Sequence, residues 1–567
     1  MHRQNIIGFM KKNILVLILF CMAGLCVKAQ TPQWVMDLMS KNVDVIDSIR
    51  VYQSHPKAPN YSTYVIYYNQ PLQHAQLGSP RFHLRALLTV DNRVDPTTAV
   101  NHVYCSGYNL MEEFLTSPDS LFANSTNCVT EIAHRYRANF IQIEHRYFQY
   151  SAPDKCWEQL DFCKAEEAAQ DFHAFFEALK KVLKGKWVMS GVSKGGITTL
   201  LQHTFFPNDM DIFLPYSAPF FDTDRDREMT KYWHENGWSK EFRDMYKTIR
   251  NYAFSYNKEV FPLYVKMRGF DDTISQAQSD SLYGCFLGEV IQFGYRDHCY
   301  SDTASIRKQT YVNDSILRAK GLEYGDTVYA FMIANDAIAL DSLPRMIDTL
   351  RAHPGAHAAV SESFVRRHQY TPFGLTEKEW WQNDPVSGGG YNYQAKCELG
   401  YFDSRFDLLI DEPAIAAEWD KFWSNNYGCL LDVFAPFYKK LTFNRALYDR
   451  VMDATKKTSK PIILIYGLDD AWTGAAVKDE FINGINVRKY ILPAQNHMAS
   501  FSSNTDPSLC AQILKGLDDV LGSPATDIDI STVADGQKAD YRKVMQGGKI
   551  YILRNNRKFT MTGVEME

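Results

Sequence analysis

The sequence predicts an α/β fold whose sheet is mostly parallel, with a large helical insertion and a small β tail. Three observations carry that reading. Runs rich in β-branched and aromatic residues alternate with helix-period patterns up to residue 220, and again from residue 456. Such alternation builds strand–helix–strand units whose strands lie parallel. Between the two stretches, residues 221–455 lose the alternation and become rich in Trp, Tyr, Phe and charge, with helix-like patches such as Leu343–Leu350. Near the end, Ile550–Leu553 and Lys558–Thr562 flank Arg554-Asn555-Asn556-Arg557, the pattern of a β-hairpin.

Taken in order, Tyr61–Tyr68 and Arg81–Val90 read as strands on either side of a turn-rich stretch around Gly78-Ser79-Pro80. Phe140–Glu144 is a short apolar strand. Residues 166–183 read as a helix, because Phe172, Phe175, Phe176, Leu179, Val182 and Leu183 recur at three and four. Trp187–Ser190 is a strand, Ile197–Phe206 a helix and Ile212–Tyr216 a strand. After the insertion, Pro461–Tyr466 and Lys489–Leu492 are strands with a helical segment expected between them.

Residues 1–29 have the grammar of a secretory signal. Lys11 and Lys12 supply the positive region, Ile14–Val27 the apolar run, and Val27-Lys28-Ala29 the small residues read at cleavage. Phe20 and Leu25 stand where a lipoprotein signal needs a small residue before Cys21 or Cys26. No other apolar run is long enough to cross a bilayer. The expected location is secreted or periplasmic, with cell-surface association left open, and no membrane insertion follows signal removal.

The chain has 567 residues, 45% of them hydrophobic and 14% aromatic, which is ample for a large core and more than one structural unit. A formal net charge of −5 over that length argues against nucleic-acid binding or a polybasic membrane role. Nine cysteines remain after Cys21 and Cys26 leave with the signal: Cys105, Cys128, Cys156, Cys163, Cys285, Cys299, Cys397, Cys429 and Cys510. An odd number leaves at least one thiol free or paired outside the chain. Sequence proximity suggests Cys156–Cys163 and Cys285–Cys299 as disulfides. There is no CxxC or HExxH spacing, so neither a metal nor a cofactor is expected.

The junction after the strand Trp187–Ser190 carries most of the chemistry. Gly191-Val192-Ser193-Lys194-Gly195 is a GxSxG motif between a predicted strand and a predicted helix, the context of a nucleophile elbow. The serine sits on a sharp turn that lifts its hydroxyl above the sheet edge, and side chains on the flanking glycines would clash there. The helix that starts at the turn aims backbone N–H groups at the reacting carbonyl, and that of Lys194 is one expected oxyanion donor. A serine hydroxyl needs a base, and the base needs an orienting group. In α/β-hydrolases these follow in the order Ser, acid, His. Gly467-Leu468-Asp469-Asp470-Ala471-Trp472 follows the strand Pro461–Tyr466, and Pro493-Ala494-Gln495-Asn496-His497 follows the next strand. Spacing does not separate Asp469 from Asp470. His145, His203 and His298 are competing bases that precede the acid in the chain.

Several stretches, taken together, resemble the secreted bacterial tripeptidyl-aminopeptidase family of serine peptidases, serine peptidase family thirty-seven. They are Gly191-Val192-Ser193-Lys194-Gly195-Gly196, His203-Thr204-Phe205-Phe206-Pro207-Asn208-Asp209 and Pro215-Tyr216-Ser217-Ala218-Pro219. Four others resemble its relatives in the prolyl carboxypeptidase and dipeptidyl-peptidase group: Asn69–His74, Glu144–Phe148, Tyr393–Tyr401 and Gly467–Trp472. The resemblance implies Ser193 as nucleophile and His497 as base. The relatives' acid directly precedes a Pro-Trp pair; Asp470 precedes Ala471-Trp472 here, which favours Asp470. Cys105-Ser106-Gly107-Tyr108-Asn109 matches the loop that supplies the second oxyanion donor, assigned to Tyr108. Relatives carry an acidic residue where Ser106 stands.

The expected architecture is therefore an α/β-hydrolase: signal peptide 1–29, core 30–220, mostly helical cap 221–455, second part of the core 456–522, and C-terminal β tail 523–567. The resemblance implies an exopeptidase releasing short peptides, tripeptides above all, from free N-termini of peptide substrates. A buried substrate ammonium would need a carboxylate, for which Glu398 is the candidate, with a structural ion pair as the alternative use. An esterase on the same fold, and a binding protein without turnover, are the competing functions. The hairpin tail either covers a sheet edge or serves sorting or surface retention.

Overall fold

A computed structural model describes residues 31–52, 60–111, 128–235, 388–402, 440–503 and 506–524, and strands between 541 and 566. The signal segment, most of the predicted cap, Leu343–Leu350, Cys285 and Cys299 lie outside the described residues.

Nine strands form one sheet: β1 (Ile46–Tyr52), β2 (Tyr61–Pro71), β3 (Arg81–Asp91), β4 (Asn101–Cys105), β5 (Asn139–Ile143), β6 (Trp187–Val192), β7 (Ile212–Tyr216), β8 (Ile462–Gly467) and β9 (Val487–Leu492). Their order is β1-β2-β3-β5-β4-β6-β7-β8-β9. β1, β2, β3 and β5 pair antiparallel in turn, and every pairing from β5 through β4, β6, β7 and β8 to β9 is parallel. This order, with crossing connections around β4 and β5, is that of an α/β-hydrolase.

The central strands β6, β7 and β8 are buried at every position. Parallel strands covered on both faces need no polar alternation, so they read as continuous apolar runs. The period of two sends neighbours to opposite sides. Met189 shares a buried apolar cluster with Phe172, Phe176, Leu200 and Met452, residues of α3 (Ala165–Lys180), α4 (Lys194–Phe205) and α7 (Ala446–Lys457). Val188 packs with Ile132, Tyr136, Leu514 and Leu517, on the side of α2 (Glu131–Tyr136) and α8 (Pro507–Leu521). The stacked rings of Tyr68 and Phe175, centroids 4.3 Å apart, tie β2 to α3. Helix α8 begins where Asp506 accepts from the N–H groups of Ser508 and Leu509 with Pro507 in the first turn, and it ends at Gly522, φ 93°.

Three further helices complete the described part: α1 (Gln33–Lys41), α5 (Glu228–Glu235) and α6 (Gly388–Gln394). The tail is a four-stranded antiparallel sheet of β10 (Tyr541–Gln546), β11 (Lys549–Arg554), β12 (Arg557–Thr560) and β13 (Glu565–Met566). Arg554 pairs with Arg557, so the hairpin closes where Asn555-Asn556 predicted it.

Four expectations change. Cys156 and Cys163 are both free, as are Cys105, Cys128 and Cys397; the Cys163 thiol is turned to the Gly390 carbonyl at 3.7 Å. Between β8 and β9 the described chain has two short 3-10 turns, Ala471–Ala475 and Asp479–Phe481, in place of the expected helix. Helix α7 runs across residue 455, where the sequence placed a domain boundary. Strands β1 and β4 were not foreseen. β1 is an exposed edge strand, and β4 begins with buried polar residues, whose partners are Asn139 Nδ2 to Asn101 Oδ1 at 2.8 Å and His102 Nε2 with Ser190 Oγ at 2.7 Å.

Candidate active site

The site sits at the carboxyl ends of the parallel strands. Ser193 joins β6 to α4 with φ 60° and ψ −121°, a backbone conformation that L-residues avoid. Its N–H donates to the Tyr216 carbonyl at 2.9 Å, and its own carbonyl accepts from Ile197 at 3.0 Å, which fixes the turn from both sides. The glycines of the motif meet the sheet directly. A Cβ on Gly191 would lie 2.4 Å from the Cys105 carbonyl oxygen, and one on Gly195 would lie 2.0 Å from the same atom.

Asp470 and His497 are brought together. His497 Nδ1 lies 2.9 Å from Asp470 Oδ2, and the other oxygen of the carboxylate accepts from the Trp472 N–H at 3.1 Å. Both side chains are buried. His497 Nε2 is buried without a hydrogen-bond partner among the described residues. Asp469, by contrast, is half-buried and its backbone N–H donates to Gln495 at 2.9 Å. The ring of Trp472 packs at 6.1 Å from that of His497. Gly467 lets the acid loop pass the base loop, since a Cβ there would lie 2.3 Å from the carbonyls of Gln495 and Asn496.

The competing histidines are otherwise engaged. His203 Nε2 lies 2.7 Å from Thr458 Oγ1, and burial pushes its pKa down to about 4. His145 Nδ1 lies 2.9 Å from the Arg146 carbonyl, and burial, with Lys194 nearby, holds the ring well below its ordinary pKa. His298 lies outside the described residues. The Glu144–Phe148 stretch is structural: Glu144 takes Arg85 and Ser151 at 2.9 Å each, and Arg146 binds both oxygens of Asp171 at 2.6 and 2.8 Å.

On the oxyanion side, Lys194 is the first residue of α4, so its N–H has no partner inside the helix. The loop 106–109 crosses the elbow closely enough that a Cβ on Gly107, φ 83°, would lie 2.8 Å from the Gly195 nitrogen. The Tyr108 N–H is turned to Ser106 Oγ at 3.1 Å, and the Ser106 hydroxyl donates to the Asn109 carbonyl at 2.7 Å. Glu398 accepts from the Ala165 N–H at 2.9 Å, at the start of α3. Burial raises its pKa while the Ala165 N–H and Lys164 lower it. That is a helix-capping use of the carboxylate, and an incoming ammonium would compete with a backbone donor for it.

Sequence reasoning missed Glu131. This fully buried carboxylate accepts from Ser500 Oγ and Ser502 Oγ at 2.6 Å each, from the Ser502 N–H at 3.0 Å and from the Tyr216 hydroxyl at 2.8 Å. Tyr216 is also the residue whose carbonyl holds Ser193. One side chain thus ties the loop after His497 to the strand that supports the elbow. The only sequence signal was a run of serines after the histidine.

Among the described residues, His173, Glu177 and Asp209 alone have their ligand atoms spaced for a metal ion. The Lys180 ammonium already lies 3.1 Å from Glu177 and 3.6 Å from Asp209, which supplies the positive charge that a cation would bring. No helix among the described residues is long and apolar enough to cross a membrane.

The PS-10 peptidase S37 family profile matches residues 36–291, somewhat under half of the chain. Prolyl tri/tetrapeptidyl aminopeptidase of Streptomyces mobaraensis is 26% identical over 249 residues, 43% of this chain and 48% of that one. The chain therefore matches about half the length of this curated relative. Two solved structures overlay weakly. A peroxisomal alpha-beta-hydrolase of Saccharomyces cerevisiae is 10% identical at a TM-score of 0.33, covering 84% of this chain and 96% of that one. Proline iminopeptidase of Mycobacterium smegmatis is 12% identical at a TM-score of 0.31, covering 83% and 98%. The fold assignment rests on strand order rather than on these overlays. The S37 match contains Ser193 but ends before Asp470 and His497.

Proposed function

We propose, from the match of residues 36–291 to the S37 peptidase profile, that the protein is a serine exopeptidase acting through Ser193, His497 and Asp470. The single observation that carries the reading is the His497–Asp470 pair, which leaves Nε2 unpartnered in a fold whose strained turn presents Ser193. His497 Nε2 takes the Ser193 proton as Oγ attacks the scissile carbonyl, and Asp470 stabilises the imidazolium that forms. The oxyanion is received by the Lys194 N–H and by the Tyr108 N–H, which leaves Ser106 for the more highly charged acceptor. The imidazolium then protonates the leaving amine. Water, deprotonated by the same ring, releases the acyl group from Ser193.

The proposed substrates are peptides with free N-termini, from which short peptides, tripeptides above all, are removed. The family resemblance and the length of chain inserted between β7 and β8 support this. The segment Lys11–Ala29 supports a site of action outside the cytoplasm, secreted or periplasmic.

Digestion of a mixed peptide library with sequencing of the products tests the reading. Release of N-terminal fragments of about three residues is expected, and acetylation of the N-terminus should slow cleavage by at least about tenfold, because an ammonium partner is lost. Equal rates on blocked and free peptides would remove the aminopeptidase assignment. Hydrolysis of simple esters with none of peptides would replace it by the esterase.

A further inference from the structure

The hydrolase reading uses the backbone of Lys194 and leaves its side chain without a role. That side chain is 2% exposed, and no carboxylate lies within ion-pair distance of it among the described residues. A lysine is seldom buried unpaired, because its charge loses hydration with no opposite charge in return. Here the ammonium makes a short hydrogen bond to the Gly107 carbonyl. It sits 5.0 Å from the ring centroid of Phe148 and 5.4 Å from that of Tyr108. Ring faces attract a cation but cannot orient a peptide; the carbonyl bond can.

Resting on the hydrolase reading, we propose that the Lys194 ammonium is a positioning group for the oxyanion loop. By holding the Gly107 carbonyl, it fixes the Gly107–Tyr108 peptide, whose N–H is the second donor to the tetrahedral intermediate. In a trans peptide the C=O and the following N–H point in opposite directions. Drawing the carbonyl toward Lys194 therefore holds this peptide beside the elbow, where its N–H rests on Ser106 Oγ at 3.1 Å until an oxyanion replaces that acceptor. The loop passes so close to the elbow that a Cβ on Gly107 would lie 2.8 Å from the Gly195 nitrogen. The nucleophile's neighbour thus contributes twice, through its own N–H and through the loop that its side chain holds.

The arrangement gives the clamp a pH dependence. Burial pushes the Lys194 pKa down to about 8. Among the described residues, the ionisable groups around it are the Cys105 thiol from β4, the Tyr108 phenol on the oxyanion loop, the Cys163 thiol before α3 and His145 after β5, with Arg146 beside His145. Burial pushes Cys105 up to about 11 and Cys163 higher, His145 stays neutral, and Arg146 is a fixed cation held by Asp171. Lys194 alone among them changes charge just above neutrality. It is a cation below about 8, and the clamp loosens as pH rises through that value.

The test is the rate at which a fluorophosphonate, which carries no amino group, phosphonylates Ser193 between about pH 6 and pH 10. Wild type should show an alkaline fall centred near pH 8. Lys194→Met should react on the order of 100-fold more slowly at neutral pH, as for loss of one oxyanion donor, with no fall near pH 8. Lys194→Arg, which keeps its charge throughout, should restore part of the rate and also lack the fall. A flat wild-type profile, or a Lys194→Met rate within threefold of wild type, overturns the proposal, and the wild-type profile decides it even if the variants fail to fold. Absence of any Ser193 labelling overturns the hydrolase reading and this proposal with it; labelling with a flat profile overturns this proposal alone.

Discussion

Two buried ionisable side chains flank the elbow, Glu131 on the side of the base and Lys194 on the side of the oxyanion. Neither has a partner of opposite charge among the described residues, and they meet that problem differently. Glu131 is saturated: four donors at 2.6–3.0 Å converge on its two oxygens. Lys194 has three protons to give and one carbonyl that takes one, with two ring faces beside it. A saturated group is held by geometry, and its charge is dispensable where a neutral isostere offers the same bonds. An under-coordinated ammonium depends on its charge, so its hold changes with protonation. The base flank is a fixed frame and the oxyanion flank is an adjustable one.

The scale for this contrast is set by the triad. Ser193→Ala should lower kcat by about 10⁶ while the thermal unfolding curve stays in place, since a hydroxyl is all that is removed. Peptidase turnover within a few-fold of wild type would show that neither flank serves a nucleophile at this position. Asp470→Asn should cost about 10⁴ in kcat by presenting the wrong tautomer of His497. Asp469→Asn should stay within a few-fold, because the imidazole makes its bond to Asp470; if Asp469→Asn is instead the crippling change, the base flank is wired through the other carboxylate.

Smaller effects separate the flanks from one another. Glu131→Ala orphans buried donors and should destabilise the protein by about 3 kcal/mol in denaturant unfolding. Glu131→Gln should lie within a few-fold of wild type in kcat. Its amide oxygen can take the Ser500 and Ser502 donors, and its NH₂ can donate to the Tyr216 hydroxyl. Lys194→Met, equally close in shape, is expected to be far worse, and comparable losses in Glu131→Gln and Lys194→Met would erase the contrast. Burial also raises the Glu131 pKa. The folded state therefore binds that proton more tightly than the unfolded chain does. The resulting stabilisation is present below the unfolded value near 4.5 and is lost as pH rises through the raised one. Glu131→Gln should remove that part of the pH dependence of stability.

Legibility in the sequence followed the same division. The strands β6, β7, β8 and β9 and the elbow were readable because buried parallel strands and GxSxG are local patterns. That Asp470 and His497 come together was readable because each follows the end of a neighbouring strand. Choosing Asp470 over Asp469 needed the resemblance in the sequence, and the His497 bond in the structure then falls on Asp470. Glu131 was not readable, because its serine partners lie 369 and 371 residues away. The Lys194 side chain was hidden by its position inside a motif whose glycines and serine account for the whole pattern. For Glu398 the sequence left a ligand and a structural partner open, and the fold adds the helix start whose Ala165 N–H it accepts.

The long separation between Glu131 and its serines has a consequence in time. The strand before Ser193 and the helix after it are synthesised well before β8, β9 and the loop of His497. Contacts of such sequence separation form late, after the costly closure of the intervening chain. Until the C-terminal strands dock, the serine has no base, the base loop has no anchor, and Glu131 has no donors from it. A chain interrupted at any earlier point carries the nucleophile without the means to use it. The docking of the last two strands of this sheet is therefore also the step at which the proposed activity would be switched on, after nearly all of this sequence has been synthesised.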